Sequence, residues 1–136
     1  MFSLTTHPWW RRWFGNRAER AAGRFLRRQG YRLIQHNFSC DLGEIDIVAL
    51  DGKTVVFVEV RSTEAADAQQ AALSVDAKKQ ARLTRLALYY LKMRGLLDCS
   101  ARFDVLAISW PAGQAEATIV HYPHAFEATD RLQMFS

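Results

Sequence analysis

The sequence predicts an α/β domain in which a mixed β-sheet is flanked by α-helices. Apolar residues recur at helical spacing near the N-terminus, alternating strands fill the middle of the chain, and a second helical segment precedes two further strands. The resulting order, α-β-β-β-α-β-β, is typical of a sheet covered by helices. The 136 residues, 49% hydrophobic and 24% charged, are ordinary for one compact domain and argue against a mostly disordered chain.

The first predicted element is a helix from Arg17 to Gln29. Asn16 suits its N-cap, Gly30 ends it, and its apolar face consists of Ala18, Ala21, Ala22, Phe25 and Leu26. The domain is predicted to span residues 16–128, between a basic, aromatic arm at 1–15 and a tail at 129–136. The aromatic residues of the arm would stack on bases, lie on a membrane surface or pack the terminus onto the core.

Three strands are predicted next, at residues 31–38, 43–50 and 54–61, with a loop at 39–43. The second strand alternates strictly, so that Ile45, Ile47 and Ala49 face one way and Asp46 faces the other. The pair Asp51-Gly52 is a strong signal for a hairpin turn to the third strand. In that strand Glu59 shares a face with Phe57 and Arg61, opposite Val56, Val58 and Val60.

The second half of the chain predicts one helix and two strands. Residues 62–73 are small and polar and indicate a loop or a loosely helical connection. An amphipathic helix follows from Val75 to Arg94, with Gly95 ending it. Strands are predicted at 101–109 and 117–122, and the residues from Pro123 onward are predicted to form a short helix or a tail.

Composition limits the compartment and the chemistry. Two cysteines, Cys40 and Cys99, exclude a disulfide-rich scaffold and a four-cysteine zinc site. No apolar run approaches the roughly 18 residues of a membrane span, and Pro8, Arg11 and Arg12 interrupt any signal-peptide core. We therefore expect a cytoplasmic protein with no membrane partner. Phosphate-binding glycine loops and nucleophilic serine or cysteine motifs are also missing from the sequence.

Positive charge is concentrated near the N-terminus. Residues 1–36 carry eight arginines and one acid, a net charge of +7, which leaves −3 for the rest of a chain whose net charge is +4. Such a patch attracts a phosphate backbone, because each neutralised phosphate releases condensed counterions; the alternative is a solvated helix face. The candidate nucleic-acid-binding residues are Arg17, Arg20, Arg24, Arg27, Lys78 and Lys79.

Two acids lie within the apolar strands of the predicted hairpin. One register places Asp46 opposite Glu59, and a tighter turn places Glu44 opposite Glu59 with Asp46 on the diagonal. In both registers Asp46 and Glu59 share a face, with Cβ atoms about 4.5–8 Å apart. Two such carboxylates repel each other unless a cation joins them, and Mg²⁺ or Mn²⁺ prefers carboxylate oxygens. The alternative is a salt-bridge cluster with Arg61.

The remaining polar candidates predict structural roles. His36, His121 and His124 show no spacing that suggests a zinc site. Arg102 and Asp104 alternate on one strand and are expected to form a salt bridge.

Several segments, in their order along the chain, resemble a known family. They are the helix that carries Glu19, "GYRLIQHNF", "GEIDIVALDGKTVVFVEVR", "AKKQARLTRLALYYL", "RFDVLAI" and "HYPHAF", which together cover roughly residues 15–128. On these segments the chain resembles the YraN family of predicted endonuclease-related bacterial proteins. The resemblance implies a restriction-endonuclease-like fold, similar to archaeal Holliday-junction resolvases, and cleavage of DNA, including branched DNA, with Mg²⁺ or Mn²⁺.

The superfamily pattern is a helix Glu, then an Asp, then Glu-x-Lys. Carried over by position, it implies that Asp46, Glu59 and Glu19 ligate the metal, with the carbonyl of Val60 available. Glu19 has the alternative of stabilising the first turn of its helix through the helix dipole. Gly43 and Glu44 belong to the matched motif without an assigned role.

The sequence departs from this pattern at the catalytic lysine, because Arg61 stands in its place. Arginine stays protonated, so Arg61 can hold a phosphate but cannot act as a general base. Thr63 replaces a basic residue that often follows, and Lys78 or Lys79 could supply the ammonium instead.

Three functions therefore stay open: an endonuclease with Glu19, Asp46, Glu59 and Arg61 as catalytic residues, a catalytically silent nucleic-acid-binding module, and a protein-interaction adaptor. A symmetric homodimer through the sheet edge near "ATIVHY" would suit paired cuts.

Overall fold

Helices and strands follow one another in the predicted order. The computed structural model describes residues 17–62, 75–112 and 114–128. The elements are α1 (Arg17–Arg28), β1 (Arg32–Cys40), β2 (Gly43–Asp51), β3 (Thr54–Ser62), α2 (Ala77–Met93), β4 (Ala101–Ser109) and β5 (Thr118–Phe126). The predicted N-terminal arm, the N-cap Asn16 and the tail at 129–136 lie outside the described residues, as does the predicted connection at 62–73 apart from Ser62, which ends β3.

The five strands form one mixed sheet in the order β1-β2-β3-β4-β5. β3 and β4 are parallel, with α2 between them in the chain, and the other three neighbouring pairs are antiparallel. A parallel pair needs a long crossover connection, which the helix provides. The predicted α/β fold with a mixed sheet flanked by helices is therefore confirmed.

The helices cover opposite faces of the sheet, so the central strands are apolar on both sides. α1 packs its small residues, Ala18, Ala21 and Ala22, with Leu26 on the face that carries Val56 and Val58. On the other face α2 packs a row of larger residues against Val48, Val55 and Phe57; its members include Leu83, Leu86 and Tyr90. Strands that are buried on both faces are nearly continuous runs of apolar residues such as Val and Ile, rather than an alternation of apolar and polar residues.

The strict alternation predicted for β2 is wrong at one position. Ile45 packs in the cluster under α2, whereas Ile47 and Ala49 pack in the cluster under α1. Residues two apart in a regular strand share a face, so β2 changes face between Ile45 and Ile47. The irregular residue between them is Asp46.

Two strands are longer than predicted. β1 continues to Cys40, so the predicted loop at 39–43 shrinks to a turn at Asp41 and Leu42. β5 continues to Phe126, and the prediction that a helix or tail begins at Pro123 is wrong for 123–126. Proline fits there because β5 lies at the edge of the sheet, where a missing N–H need not break a ladder.

Candidate metal and nucleic-acid site

Asp46 lies at a gap between three strands. β1 pairs with β2 on either side of it, Phe38 with Ile45 and His36 with Ile47. Between these pairs Asn37 has a φ of 47°, a left-handed conformation that asparagine tolerates better than most residues. The ladder between β2 and β3 ends at Ile47 and Val58.

The Asp46 side chain bridges this gap. The amide of Val60 donates a hydrogen bond to Oδ2 of Asp46 over 2.9 Å. The register agrees with the predicted alternative that sets Asp46 opposite Glu59, because Asp51 pairs with Thr54 at the turn. The pairing of β2 with β3 ends before those two acids, so they are not ladder partners.

Glu59 faces α2 and is buried, with 7% of its surface exposed. Nζ of Lys79 lies 2.6 Å from Oε2 of Glu59, and Nε of Arg61 lies 3.7 Å from the same oxygen. Lys79 is fixed in the first turn of α2, because Asp76 caps the helix and accepts the Lys79 amide over 2.8 Å. Of the two candidate lysines, Lys79 reaches the acid pair, while Lys78 is exposed.

Burial, together with the neighbouring acids, increases the affinity of Asp46 for a proton. Burial raises the pKa of Asp46 to about 7, and the charges of Glu59 and Glu19 act in the same direction. The Val60 amide and the Lys79 ammonium oppose this increase without cancelling it. Burial, more than either neighbouring acid, therefore disfavours the charged form of Asp46.

Glu19 stands in the first turn of α1 and is partly buried. Its charge reaches Asp46 from the α1 side of the sheet. Within the described ranges, no three acidic, histidine or cysteine side chains are close enough to enclose a metal ion by themselves. The structure therefore brings Asp46 and Glu59 together and leaves Glu19 as a more distant neighbour.

Of the four predicted arginines of α1, two line a groove and two do not. Arg17 and Arg24 line a groove of about 380 Å³ between α1 and the segment that joins β4 to β5. Arg28 and Trp110 also line it, and neither was among the predicted binding residues. The spacing of Arg17, Arg24 and Arg28 could have indicated a shared stripe, but the contribution of Trp110 depends on tertiary structure.

A second polar cluster surrounds Asp104, which is fully buried. Nε of Arg102 donates to Oδ1 over 3.0 Å, which confirms the predicted salt bridge, and His121 Nε2 lies 2.7 Å from Oδ2. The His124 amide donates to Oδ1 over 3.0 Å. Arg102 also contacts Asp51 and the hydroxyl of Tyr31. The cluster ties β5 to β4 at a register shift between Phe103 and Val105.

Gly43 and Glu44 have separate surroundings. Gly43 has a φ of 133°, and a Cβ atom there would lie 3.3 Å from Cδ1 of Leu86 and 3.4 Å from Cδ of Arg82. This glycine lets α2 approach β2 closely. Glu44 is exposed and pairs with Ser39 across the ladder.

No helix among the described residues is both long enough and apolar enough to cross a membrane.

Comparison with known proteins agrees with the sequence resemblance. The family model described as "Uncharacterised protein family UPF0102" matches residues 18–108. A UPF0102 protein of Geobacter sulfurreducens is 45% identical over 113 residues, which cover 83% of this chain and 88% of the relative. One of Moorella thermoacetica is 48% identical over 98 residues, with 72% and 82% covered. One of Rhodopirellula baltica is 44% identical over 117 residues, with 84% and 70% covered.

Proposed function

The chain belongs to the UPF0102 family, which is the YraN family that it resembles in sequence, and on this premise we propose that it is a metal-dependent DNA endonuclease. The observation that carries the proposal is the pair of carboxylates at the gap in the sheet, Asp46 and Glu59. A fold gains no stability from two acids that repel each other in a partly buried place. Their placement is understandable when a ligand of opposite charge joins them.

The donor set fits a hard divalent cation. Asp46, Glu59 and the carbonyl of Val60 are the oxygen donors that would hold Mg²⁺ or Mn²⁺, and the ammonium of Lys79, 2.6 Å from Glu59, indicates that this position favours positive charge. Two carboxylates suffice, since Mg²⁺ often binds one or two and completes its shell with waters and substrate phosphates. When bound, the cation would neutralise charge on the scissile phosphate and lower the pKa of a bound water.

The side chains around the pair have distinct roles in this proposal. The Val60 amide fixes the direction of the Asp46 carboxylate, and Glu19 adds negative charge from α1. Arg61 and Lys79 converge on Glu59 and can donate to a phosphate oxygen there. Lys79 thereby takes over the part of the superfamily lysine as the ammonium beside Glu59, while Arg61 stays protonated and cannot act as a general base.

The experiment is cleavage of labelled single-stranded, duplex, flap and four-way-junction DNA with Mg²⁺, Mn²⁺ or EDTA. We expect cleavage that depends on the metal and falls by at least about a thousandfold in Asp46→Asn and Glu59→Gln, because each removes a charged metal ligand. Glu44→Gln is the matched control, since it removes an exposed acid two residues from Asp46 on the same strand. Unchanged cleavage in Asp46→Asn would overturn the assignment.

The second candidate is a catalytically silent nucleic-acid-binding module. Arg61 at the lysine position and the ion pair between Lys79 and Glu59 favour it, because that pair keeps a protein cation at the acid site. Arg61→Lys separates the two functions. A large gain in cleavage indicates a site that has lost activity, whereas no change indicates that arginine is compatible with turnover.

Two predictions about partners remain open. A protein-interaction adaptor, the third function, would bind DNA weakly or without sensitivity to salt, whereas phosphate contacts weaken as salt rises. β5 lies at the edge of the sheet, as a homodimer through that strand requires.

A further inference from the structure

A positively charged groove runs along the side of α1 that faces the end of β4 and the start of β5. Arg17, Arg24 and Arg28 line it from the helix, and Trp110, Glu116 and Ile119 line it from the other side. The helix positions 17, 21, 24 and 28 fall on one stripe, and the small side chain of Ala21 leaves the middle of that stripe open. Three arginines against one glutamate give the groove an excess of positive charge.

The groove also contains an aromatic platform. The guanidinium carbon of Arg17 lies 4.0 Å from the centre of the Trp110 ring. Trp110 is partly exposed and follows β4 directly. A positive groove that follows a phosphate backbone, together with an aromatic ring for stacking, is the combination by which proteins bind single-stranded nucleic acids.

We propose that this groove binds a single-stranded segment of nucleic acid, with phosphates along Arg24 and Arg28 and a base at the Trp110 and Arg17 stack. The proposal rests on the proposed function in taking nucleic acid as the substrate. It adds that the bound segment is single-stranded and names the residues that bind it. A duplex keeps its bases stacked inside the helix, where an indole ring cannot stack on them without unpairing them. A single strand offers both its phosphates and its base faces.

The groove opens at the end of the sheet that carries the acid pair. Ile108 pairs with Ser62 and Ala107 pairs with Arg61, so Trp110 lies beyond the end of β3 that follows Glu59. Arg17 begins α1, two residues before Glu19. The N-terminal end of the groove therefore lies on the α1 face at the same end of the sheet as Asp46 and Glu59, away from the hairpin turn.

Binding of a labelled oligonucleotide of about 12 nucleotides, measured by fluorescence anisotropy in EDTA over a range of salt concentrations, tests the groove. Arg24→Gln combined with Arg28→Gln is expected to weaken single-strand binding at least tenfold. The slope of log K against log salt is expected to become less steep by about 1.4, as the loss of two single-strand phosphate contacts implies. Trp110→Leu is expected to weaken binding by about tenfold at an unchanged salt slope, because it removes stacking and no charge.

Two matched double variants separate the groove from general charge. Arg20→Gln with Arg27→Gln removes the same charge from positions of α1 that do not line the groove, and it is expected to cost at least fivefold less affinity than the groove pair. Arg32→Gln with Lys53→Gln removes two exposed charges near the opposite end of the sheet and is expected to leave affinity unchanged. Thermal unfolding checks that every variant is folded.

The groove proposal would be overturned if the Arg20/Arg27 and Arg24/Arg28 double variants lose the same affinity for the single strand. It would also be overturned if the native protein binds a duplex of the same length as tightly as the single strand. Its failure is distinguishable from failure of the proposed function. If cleavage still depends on Glu59 while the groove pair binds normally, the groove is wrong and the endonuclease stands. If the groove pair loses binding but the native protein never cleaves, the groove stands and the endonuclease is wrong.

Discussion

Asp46 and Asp104 are aspartates on strands of the same sheet, and their surroundings are opposite. Asp104 receives hydrogen bonds from Arg102, His121 and the His124 amide. In the described part of the chain, Asp46 accepts one, from the Val60 amide, and has Glu59 as a charged neighbour. The fold therefore surrounds the Asp104 carboxylate with hydrogen-bond donors, whereas the Asp46 carboxylate has one donor and is repelled by Glu59.

The two pKa values express this difference. Burial pushes the pKa of Asp104 upward, but hydrogen bonds from His121, Arg102 and the His124 amide outweigh it and hold the pKa below its ordinary value. For Asp46, burial and the charge of Glu59 raise the pKa to about 7. A carboxylate with several donors stabilises the fold as an anion, whereas one that lacks them destabilises it until a cation arrives. We infer that Asp104 is structural and that Asp46 serves a ligand.

The largest expected effect is on the structural side of this comparison. Asp104→Ala removes the buried carboxylate of the cluster, leaves the Arg102 guanidinium with the half-exposed Asp51, and should cost about 3–5 kcal/mol of the free energy of unfolding. Urea unfolding followed by circular dichroism measures this loss. Arg102→Ala with Asp104→Ala should recover part of it, because the partly buried guanidinium is then removed together with its buried partner. If Asp104→Ala unfolds at the same urea concentration as the native protein, the cluster does not hold β5 to β4.

Asp46→Asn should have the opposite effect and increase the free energy of unfolding. An asparagine oxygen can still accept the Val60 amide, while the repulsion with Glu59 disappears. At pH 8 without metal, we expect the variant to be more stable than the native protein by about 2 kcal/mol. The same urea titration gives the value, and Glu44→Gln should be neutral. If Asp46→Asn is less stable than the native protein, Asp46 has a structural role like that of Asp104.

The pH dependence sharpens the same contrast. Because the pKa of Asp46 is raised from its unfolded value of 3.8 to about 7, the native state binds its proton more tightly than the unfolded state does. Metal-free stability should therefore fall as pH rises between these values, and the fall should be smaller in Asp46→Asn. Millimolar Mg²⁺ should restore about 1–2 kcal/mol above pH 7, because metal and proton compete for the carboxylate. Thermal unfolding in EDTA measures the pH dependence of stability, and the same experiment in Mg²⁺ measures the stabilisation by the metal. If Mg²⁺ stabilises the protein equally at pH 5 and pH 8, the metal site is contradicted.

The order of elements and the meeting of Asp46 with Glu59 could be read from the sequence, because strand alternation and hairpin register are local patterns. The sequence leaves two registers possible, and the pairing of Asp51 with Thr54 in the structure identifies which one forms. The break at Asp46 could not be predicted, since it coincides with the left-handed conformation of Asn37 on the neighbouring strand.

The surroundings of the site were less predictable than its acids. Helical periodicity does not say which of Lys78 and Lys79 points towards the sheet; that depends on how Asp76 starts α2 and how α2 packs. Similarly, charge counting predicted a basic helix but not that Arg28 and Trp110 form one groove, because their contact links segments distant in the chain.

Lys79→Met should give the smallest effect on stability and the most informative effect on function. Removing the ammonium leaves Glu59 and Asp46 with less positive charge, so Mg²⁺ or Mn²⁺ should bind about tenfold more tightly, since one unit charge a few ångströms away contributes on the order of 1 kcal/mol. Stability without metal should fall by about 1 kcal/mol. Cleavage should nevertheless slow, because the phosphate loses a donor.

Isothermal titration calorimetry with Mn²⁺ gives the affinity, and Lys78→Met is the matched control, one residue away on the exposed side of α2. If both variants bind the metal like the native protein, Lys79 does not compete for Glu59. If neither the native protein nor the two variants bind the metal, the acid pair is balanced by protein charges alone, as Asp104 is, and the contrast between the two regions disappears.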